Sequence, residues 1–545
     1  MMIKMENIIK KIKDFRIKSP EEALKGFGEW FDSNKKMTIT IALIVGLITH
    51  IVLLSVMIVS PDGLWNYITY SAGQVETESG RWMINIIDTL RKNLAIPTIT
   101  TIISIVITAI TSVFIVDLLK LKSKISCAIT AIFLEVSPCL TMTLLYSYTA
   151  DAYCYAFLFG TLAVWCIYRE KHKVLGACFG SIFTMLTLAL YQSYIGVIIG
   201  LCIIRPIVEV FNNKDYKKLF IDIGISILSV IVGLGLYWVT EQIALSIYGT
   251  KLSSYGGASD VSLMNTLENL PQSILKIYGY FINFFIGGDI VNNPCMSRNI
   301  FYKILYLVVG IAGIFVLTFR KVDDKKKKII DAILICAMTV VLPIGLNFVI
   351  LIAPETICYP LNTAGLILMI PFMMVVLENF ELNKGAIFKW ISIVLLFIIA
   401  VTYFLAANAT YTGVRMKYNQ AYSIALRMVD RIENCEGYTP DKQWLICGIV
   451  DETNTQPVSD LYYLTLGGFA NGPIFHGNYW GMTETWRKFM QVYLGIQPNF
   501  CSVEDYFKVC GTQYFKDMPI FPAQGSVAEI DGIMVVKMTN NVPMN

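Results

Sequence analysis

Three stretches of the sequence set carboxylates, an arginine and aromatic side chains against the ends of long apolar runs. The first, SPDGLWNYITYSAGQVETESGRW (Ser60 to Trp82), holds Asp62, Trp65, Tyr67, Glu76, Glu78, Arg81 and Trp82. The second is YSYTAD (Tyr146 to Asp151), and the third is YQSY (Tyr191 to Tyr194, with Gln192 between). Carboxylates held at a water boundary are the groups of general acid–base chemistry, and Asp62 and Asp151 supply one each. Taken alone, the first stretch is an Asx turn beside an interfacial aromatic belt. The recurrence of tyrosine and carboxylate in several loops puts a chemical reading beside that structural one.

Two further acids sit inside apolar runs. Glu135 lies near the middle of one such run, three residues before Pro138. A charged side chain at that depth costs roughly 2.5–3.5 kcal/mol on insertion scales, so it must face protein or a wet cavity. An interhelical hydrogen bond and a place on a substrate pathway both satisfy that demand. Glu241, near the end of another run, has the same two readings. Other chemistries find no support. There is no glycine-rich phosphate loop and no D-x-D at a strand end, and Asp323-Asp324 stands in a lysine run as a solvated turn, so an inner-face nucleotide-sugar or ATP site is not expected. Thirteen cysteines without a C-x-x-C pair, and only three histidines (His50, His172, His476), give no zinc or metal-thiolate pattern. Cys435, Cys447, Cys501 and Cys510 of the C-terminal region could pair in three ways or pack as free thiols.

The elements that must position these residues are membrane helices. Of 545 residues, 55% are hydrophobic and 15% charged, against roughly 25% charged in ordinary soluble domains. Runs long enough to cross the hydrocarbon core, at roughly 20 residues each, lie near 38–59, 97–118, 125–146, 151–168, 174–190, 195–211, 219–247, 300–319, 329–353, 360–378 and 387–408. This predicts a polytopic α-helical protein of about eleven transmembrane helices. With the N-terminus cytoplasmic, 27 of the 44 Lys and Arg residues fall in inner segments and 7 in the two outer segments, 60–96 and 248–303. The first run keeps no cleavage pattern and reads as a retained span. The small net charge of +4, dispersed between apolar runs, argues against nucleic acid as a partner.

Three regions are expected: a basic tail (1–37), a transmembrane region (38–408), and an extracytoplasmic α/β domain (409–545). In the tail, Ile8, Ile9, Ile12 and Phe15 oppose Lys4, Lys10, Lys11 and Lys18, and Ser19-Pro20-Glu21-Glu22 caps a second helix. Loop 248–300 carries a surface helix from Leu263 to Ile286, between Gly256-Gly257 and Gly287-Gly288. The last domain opens with an amphipathic helix through Tyr411, Tyr418, Tyr422 and Ala425, followed by strands at Trp444 to Val450 and Ile533 to Met538.

D-x-x-W and GRW in the first loop (Asp62, Trp65, Gly80 to Trp82), YSYTAD, LALYQSYIG (Leu188 to Gly196) and MPIFPAQGSVAEIDGIMVVKM (Met518 to Met538) together resemble the bacterial Gtr type II glucosyltransferases. These belong to the C-type (GT-C) glycosyltransferase superfamily and decorate O-antigen and related surface glycans. The resemblance implies a bacterial plasma-membrane enzyme that transfers a hexose, glucose by family habit, from undecaprenyl-phosphate-sugar to a surface glycan on the outer side. It makes an acid of the first outer loop the base, at Asp62, and matches a second acidic position at Asp151. The loop has single acids where the superfamily often has an adjacent pair. A polyprenyl phosphate is already a good leaving group, so the site needs only a carboxylate for the acceptor hydroxyl proton and a cation for the departing phosphate. Asp62 and Arg81 supply these, with Trp65 and Glu78 on the donor side; direct displacement inverts the anomeric centre. Tyr148, Tyr191, Gln192 and Tyr194 would stack on or hydrogen-bond the sugar or acceptor. No cofactor or metal site is implied, and a divalent cation requirement stays open. Two rivals remain. A transporter or flippase of lipid-linked glycans should show repeat symmetry and broken helices, neither clear in the sequence, and a surface-polysaccharide polymerase should have a larger late outer loop.

Overall fold

The computed structural model describes residues 19–169, 172–253, 263–287, 300–319, 324–354, 359–380, 385–450, 473–474 and 478–542. Among these, nine helices are long and apolar enough to cross a membrane. Helices α1 (Ser33–Thr49), α2 (Pro97–Leu118), α3 (Lys124–Glu135), α4 (Pro138–Leu145), α5 (Ala150–Arg169), α6 (Lys173–Leu190), α7 (Ile195–Phe211) and α8 (Tyr216–Tyr248) form the first part of the bundle. Helices α9 (Ile300–Phe319), α10 (Lys325–Leu346), α11 (Met369–Glu378) and α12 (Gly385–Glu433) follow. Each of the eleven expected runs coincides with helix. Two fall outside the nine because the first is interrupted at His50, before a short turn Ile51–Ser55, and the tenth is a half-length helix, Leu366–Glu378.

Broken helices are a feature that hydropathy alone did not show. Pro138 starts α4 afresh, with the Ser137 hydroxyl accepting from Leu140 N at 3.2 Å, so the third run is two helices in line. Pro343 lies inside α10, which ends at Leu346; the chain turns at Asn347 before the single turn Val349–Ile352. Broken helices therefore do not separate this protein from a transporter.

Contacts between loops sort the helix ends into two faces. Ser60 N donates to Leu145 O (2.8 Å), Met83 N to Ala189 O (3.1 Å) and Ser253 N to Glu78 O (2.8 Å), which gathers the first loop and the ends of α4, α6 and α8 on one face. On the other, Asn34 Nδ2 donates to Lys122 O (2.9 Å) and Lys122 N to Glu378 (3.0 Å). Lys120 pairs with Glu209 at 3.1 Å and Lys173 with Asp222 at 3.0 Å on that same face. The helix Pro20–Trp30 opens with the expected capping box, and Trp30 packs on Phe114 and Trp165 at this basic end. The preceding amphipathic stretch around Ile8 to Lys18 lies outside the described residues, as do Gly256, Gly257, Gly288 and Asp323 of the expected loops. The surface helix of the second loop is present as Leu263–Glu268, Leu270–Ile282 and a wide turn Asn283–Gly287.

No boundary separates the last span from the C-terminal domain. α12 is one helix of 49 residues that carries Tyr411, Tyr418 and Ala425 on its buried face, whereas Tyr422 is exposed. The domain itself holds β1 (Trp444–Cys447), helices α13 (Tyr479–Phe489) and α14 (Val503–Gly511), β2 (Val527–Ile530) and β3 (Ile533–Lys537). β3 is central, parallel to β1 and antiparallel to β2. The α/β expectation thus gains a strand, β2, whose turn from β3 needs left-handed backbone at Asp531 and Gly532. Cys435, Cys447, Cys501 and Cys510 are free thiols.

α6 and α8 approach closely because both spare a side chain at the crossing. A Cβ on Gly233 would stand 2.5 Å from Thr184 Cβ, and one on Gly180 would stand 2.6 Å from Ser229 Oγ. Ser181 donates to Ser229 O at 2.9 Å across the same contact, a small-residue interface of the kind that holds membrane helices together. Gly233→Leu is expected to force α8 away and to lower stability by about 1–3 kcal/mol, read as a lower thermal unfolding midpoint in detergent; an unchanged midpoint would contradict this packing.

Candidate functional site at the first-loop face

Asp62 stands in the first turn of a short helix, Pro61–Trp65. Ser60 caps it, accepting from Gly63 N at 3.1 Å, and Pro61 supplies the preset first position. Gly63 has no room for a side chain, since a Cβ would lie 2.8 Å from Val59 Cβ and 3.0 Å from Leu145 O. The Asp62 side chain is half-buried, and that burial pushes its carboxyl above the ordinary aspartate range.

Arg81 follows a glycine that the fold requires. Gly80 has φ +75, and a Cβ there would collide with Gln192 Nε2 and the Tyr237 hydroxyl. Gln192 Nε2 donates to Ser79 O (2.8 Å) and to Tyr237 Oη (3.1 Å), and the Tyr237 hydroxyl donates to Gly80 O (3.0 Å). The loop is thereby clamped to α8 and to the turn before α7. The Arg81 guanidinium lies 4.8 Å over the Tyr191 ring and donates from Nη1 to the Tyr153 hydroxyl at 3.1 Å. Tyr153 and Tyr191 stack at 4.2 Å, and Tyr191 donates to Asn362 Oδ1. A cation resting on paired aromatic rings has a fixed direction.

Tyr148, between α4 and α5, lies on the same face. Its hydroxyl is held well above the usual tyrosine range, first by burial and then by nearby groups that include Tyr153 and Asp62, while Arg81 pulls the other way. Tyr148 is thus the group that feels both Asp62 and Arg81. The Tyr148 ring meets Tyr70 edge-on at 4.8 Å.

Asp151 has a different setting. It is buried, with Oδ2 at 3.1 Å from Arg91 Nε. Arg91 also pairs with Asp88 and donates to the Tyr148 carbonyl at 2.8 Å, and Asp88 Oδ2 accepts from Ala72 N at 2.9 Å. Burial raises Asp88 to about 6 in spite of these bonds. This Asp–Arg–Asp brace ties the first loop to the start of α5.

The remaining expected residues divide. Trp65 meets Trp480 of α13 edge-on at 5.3 Å, so the C-terminal domain docks beside Asp62. Glu78 accepts from Gln74 (2.7 Å) and from Thr250, fastening the loop to the end of α8. Tyr194 is buried against Phe157 and Cys139, and Gln192 spends its amide on the loop. Glu135 is fully buried, its carboxyl over Gly46, where a Cβ would stand 2.6 Å from Oε2. Its backbone carbonyl lies 3.0 Å from His50 Nε2, and His50 Nδ1 lies 2.8 Å from the Tyr411 hydroxyl. Glu135 thus ends α3, at the break before α4. Sequence reasoning passed over Asp88, Arg91, Tyr153, Tyr237, Asn362 and Trp480. The only signal for Arg91 was its place among three basic residues of loop 60–96.

Fold and site define a mostly helical membrane protein whose carboxylates, arginine and stacked tyrosines gather at one end of the bundle. Residues 65–371 match the family described as glucosyl transferase GtrII, and the chain belongs to that family. Membership implies glycosyltransferase activity. The match takes in Arg81, Tyr148, Asp151, Tyr191 and Asn362; Asp62 lies just before it and the C-terminal domain after it. No curated protein and no solved structure matches the chain.

Removing the shared cation should leave Asp88 and Asp151 buried without compensation. Arg91→Met is expected to lower stability by about 3–5 kcal/mol, with much of the loss recovered when Asp88→Asn and Asp151→Asn are added; thermal unfolding in detergent measures both, and an equal loss in the triple variant would rule out the brace.

Proposed function

We propose that this protein transfers a glucosyl group from a polyprenyl-phosphate sugar, of the undecaprenyl type, to a surface glycan at the outer face of a bacterial plasma membrane. The observation that carries the reading is Arg81 held on the Tyr191 ring and bonded to Tyr153, in the same loop as Asp62 and on the face away from the lysine-rich helix ends. The charge asymmetry of the loops supports a cytoplasmic N-terminus, with the site and the C-terminal domain outside. Family membership supports the sugar; the donor, acceptor and stereochemistry are inferred from the chemistry of the residues.

In this mechanism Arg81, steadied by Tyr153 and Tyr191, holds the phosphate as negative charge builds on it, and Asp62 takes the proton of the acceptor hydroxyl. That hydroxyl attacks the anomeric carbon opposite the phosphate, the glycosidic bond forms as the bond to phosphate oxygen breaks, and the centre inverts. Asp151 acts as a positioning residue through Arg91. Tyr148 takes the sugar in this reading, while Gln192, Tyr194 and Glu78 shape the walls. A second reading, transport of lipid-linked glycans, draws on the broken helices and buried Glu135. The docking of the C-terminal domain at Trp65, next to the base, favours the enzyme.

Asp62→Asn should reduce turnover of undecaprenyl-phosphate-glucose in proteoliposomes by about 10²–10⁴-fold; near-normal turnover removes Asp62 from the chemistry. Because Asp62 is raised by burial, wild-type kcat/KM should fall as pH drops through a value above the roughly 3.9 of an exposed aspartate. That acid limb should be missing from the residual activity of Asp62→Asn. Arg81→Ala should raise the KM for donor more than that for acceptor, and an equal change in both would assign the phosphate to another group.

A further inference from the structure

Glu241 is a carboxylate that the mechanism above leaves unused. It is 3% exposed, and among the described residues neither of its oxygens has a hydrogen-bond partner. On α8 it shares the inward face with Gly233, Tyr237 and Leu245, while Trp238, Val239 and Ile243 face outward. An acid with two empty oxygens, closed off from water, is costly unless something else completes it. Its location says what that is. Tyr237, one turn before it, fixes Gly80 and Gln192. α8 packs here on the helix Gln74–Glu78 of the first loop. Glu241 therefore sits at the back of the loop that presents the phosphate-binding arginine.

We propose that the Glu241 carboxylate accepts hydrogen bonds from two neighbouring hydroxyls of the donor's hexose ring, and so selects a neutral sugar with an intact diol. Two acceptor oxygens on one planar group match two adjacent hydroxyl donors, and a neutral ring adds no charge to the one already buried. This rests on the glucosyl donor of the proposed function. It differs in kind from Asp62: Glu241 binds and orients the ring, and takes no proton.

The test is equilibrium binding of radiolabelled undecaprenyl-phosphate-glucose, its single deoxy analogues and undecaprenyl phosphate to the full-length protein in nanodiscs. Glu241→Ala should weaken the glucosyl donor by roughly tenfold to a hundredfold, leave undecaprenyl phosphate unchanged, and lose its effect on the one or two deoxy analogues that lack the bonded hydroxyls. Glu241→Gln keeps the side chain's shape and should weaken the same ligands while unfolding no earlier than wild type, since it removes an uncompensated charge. Equal weakening of undecaprenyl phosphate, or an unchanged loss across every deoxy analogue, overturns the inference. Wild-type protein that binds no undecaprenyl-phosphate sugar overturns the proposed function and this inference together, whereas sugar binding without coupling to Glu241 overturns the inference alone.

Discussion

Arg91 is the point through which the loop face is organised. One guanidinium, nearly closed to solvent, reaches Asp88 in the first loop, Asp151 at the start of α5 and the Tyr148 carbonyl between α4 and α5. Two buried acids and one base form a pattern that is stable only when complete, because each partner left alone would be a charge out of water. The consequence is positional. Asp62 and Arg81 lie on the loop that this brace holds, and Tyr148 and Tyr153 lie on the two sides of Asp151. Gly80 adds the second constraint, since its positive φ and lack of side chain let Gln192 and Tyr237 grip the backbone beside Arg81.

Much of the fold was legible because a bilayer forces long apolar runs, and every expected run became helix. The interruptions were not legible from hydropathy. Pro138 and Pro343 were visible, yet a proline ends some membrane helices and only bends others, depending on what repairs the lost backbone bond. At Pro138 it is Ser137; at His50 no proline is involved, and a buried histidine bonded to Tyr411 and to the Glu135 carbonyl marks the break. Those partners are hundreds of residues apart or on another helix, so nothing local announces them.

The site shows the same division. The loops rich in tyrosine and acid did come together, because each joins span ends on one face. Roles within them were harder to read. Glu78, Gln192 and Tyr194 have the chemistry of ligand-binding residues, but the structure uses the first two to fasten the loop and buries the third. A sequence shows that a donor exists and not which acceptor takes it. Asp151 is the sharpest case: its type and place suggested a second catalytic acid, and the unforeseen Arg91 makes it part of a brace. Trp480 was invisible for a related reason, as nothing in the sequence tells which face of a C-terminal domain meets which loop.

α12 runs without a break from the basic end of the bundle to the β-sheet domain. Its 49 residues measure about 74 Å at 1.5 Å per residue, more than twice the roughly 30 Å hydrocarbon core. It therefore works as a single mast, footed in lipid and carrying the domain at its head. The contact between Trp480 and Trp65 is thus borne by a domain whose stem is rooted among the other helices of the bundle.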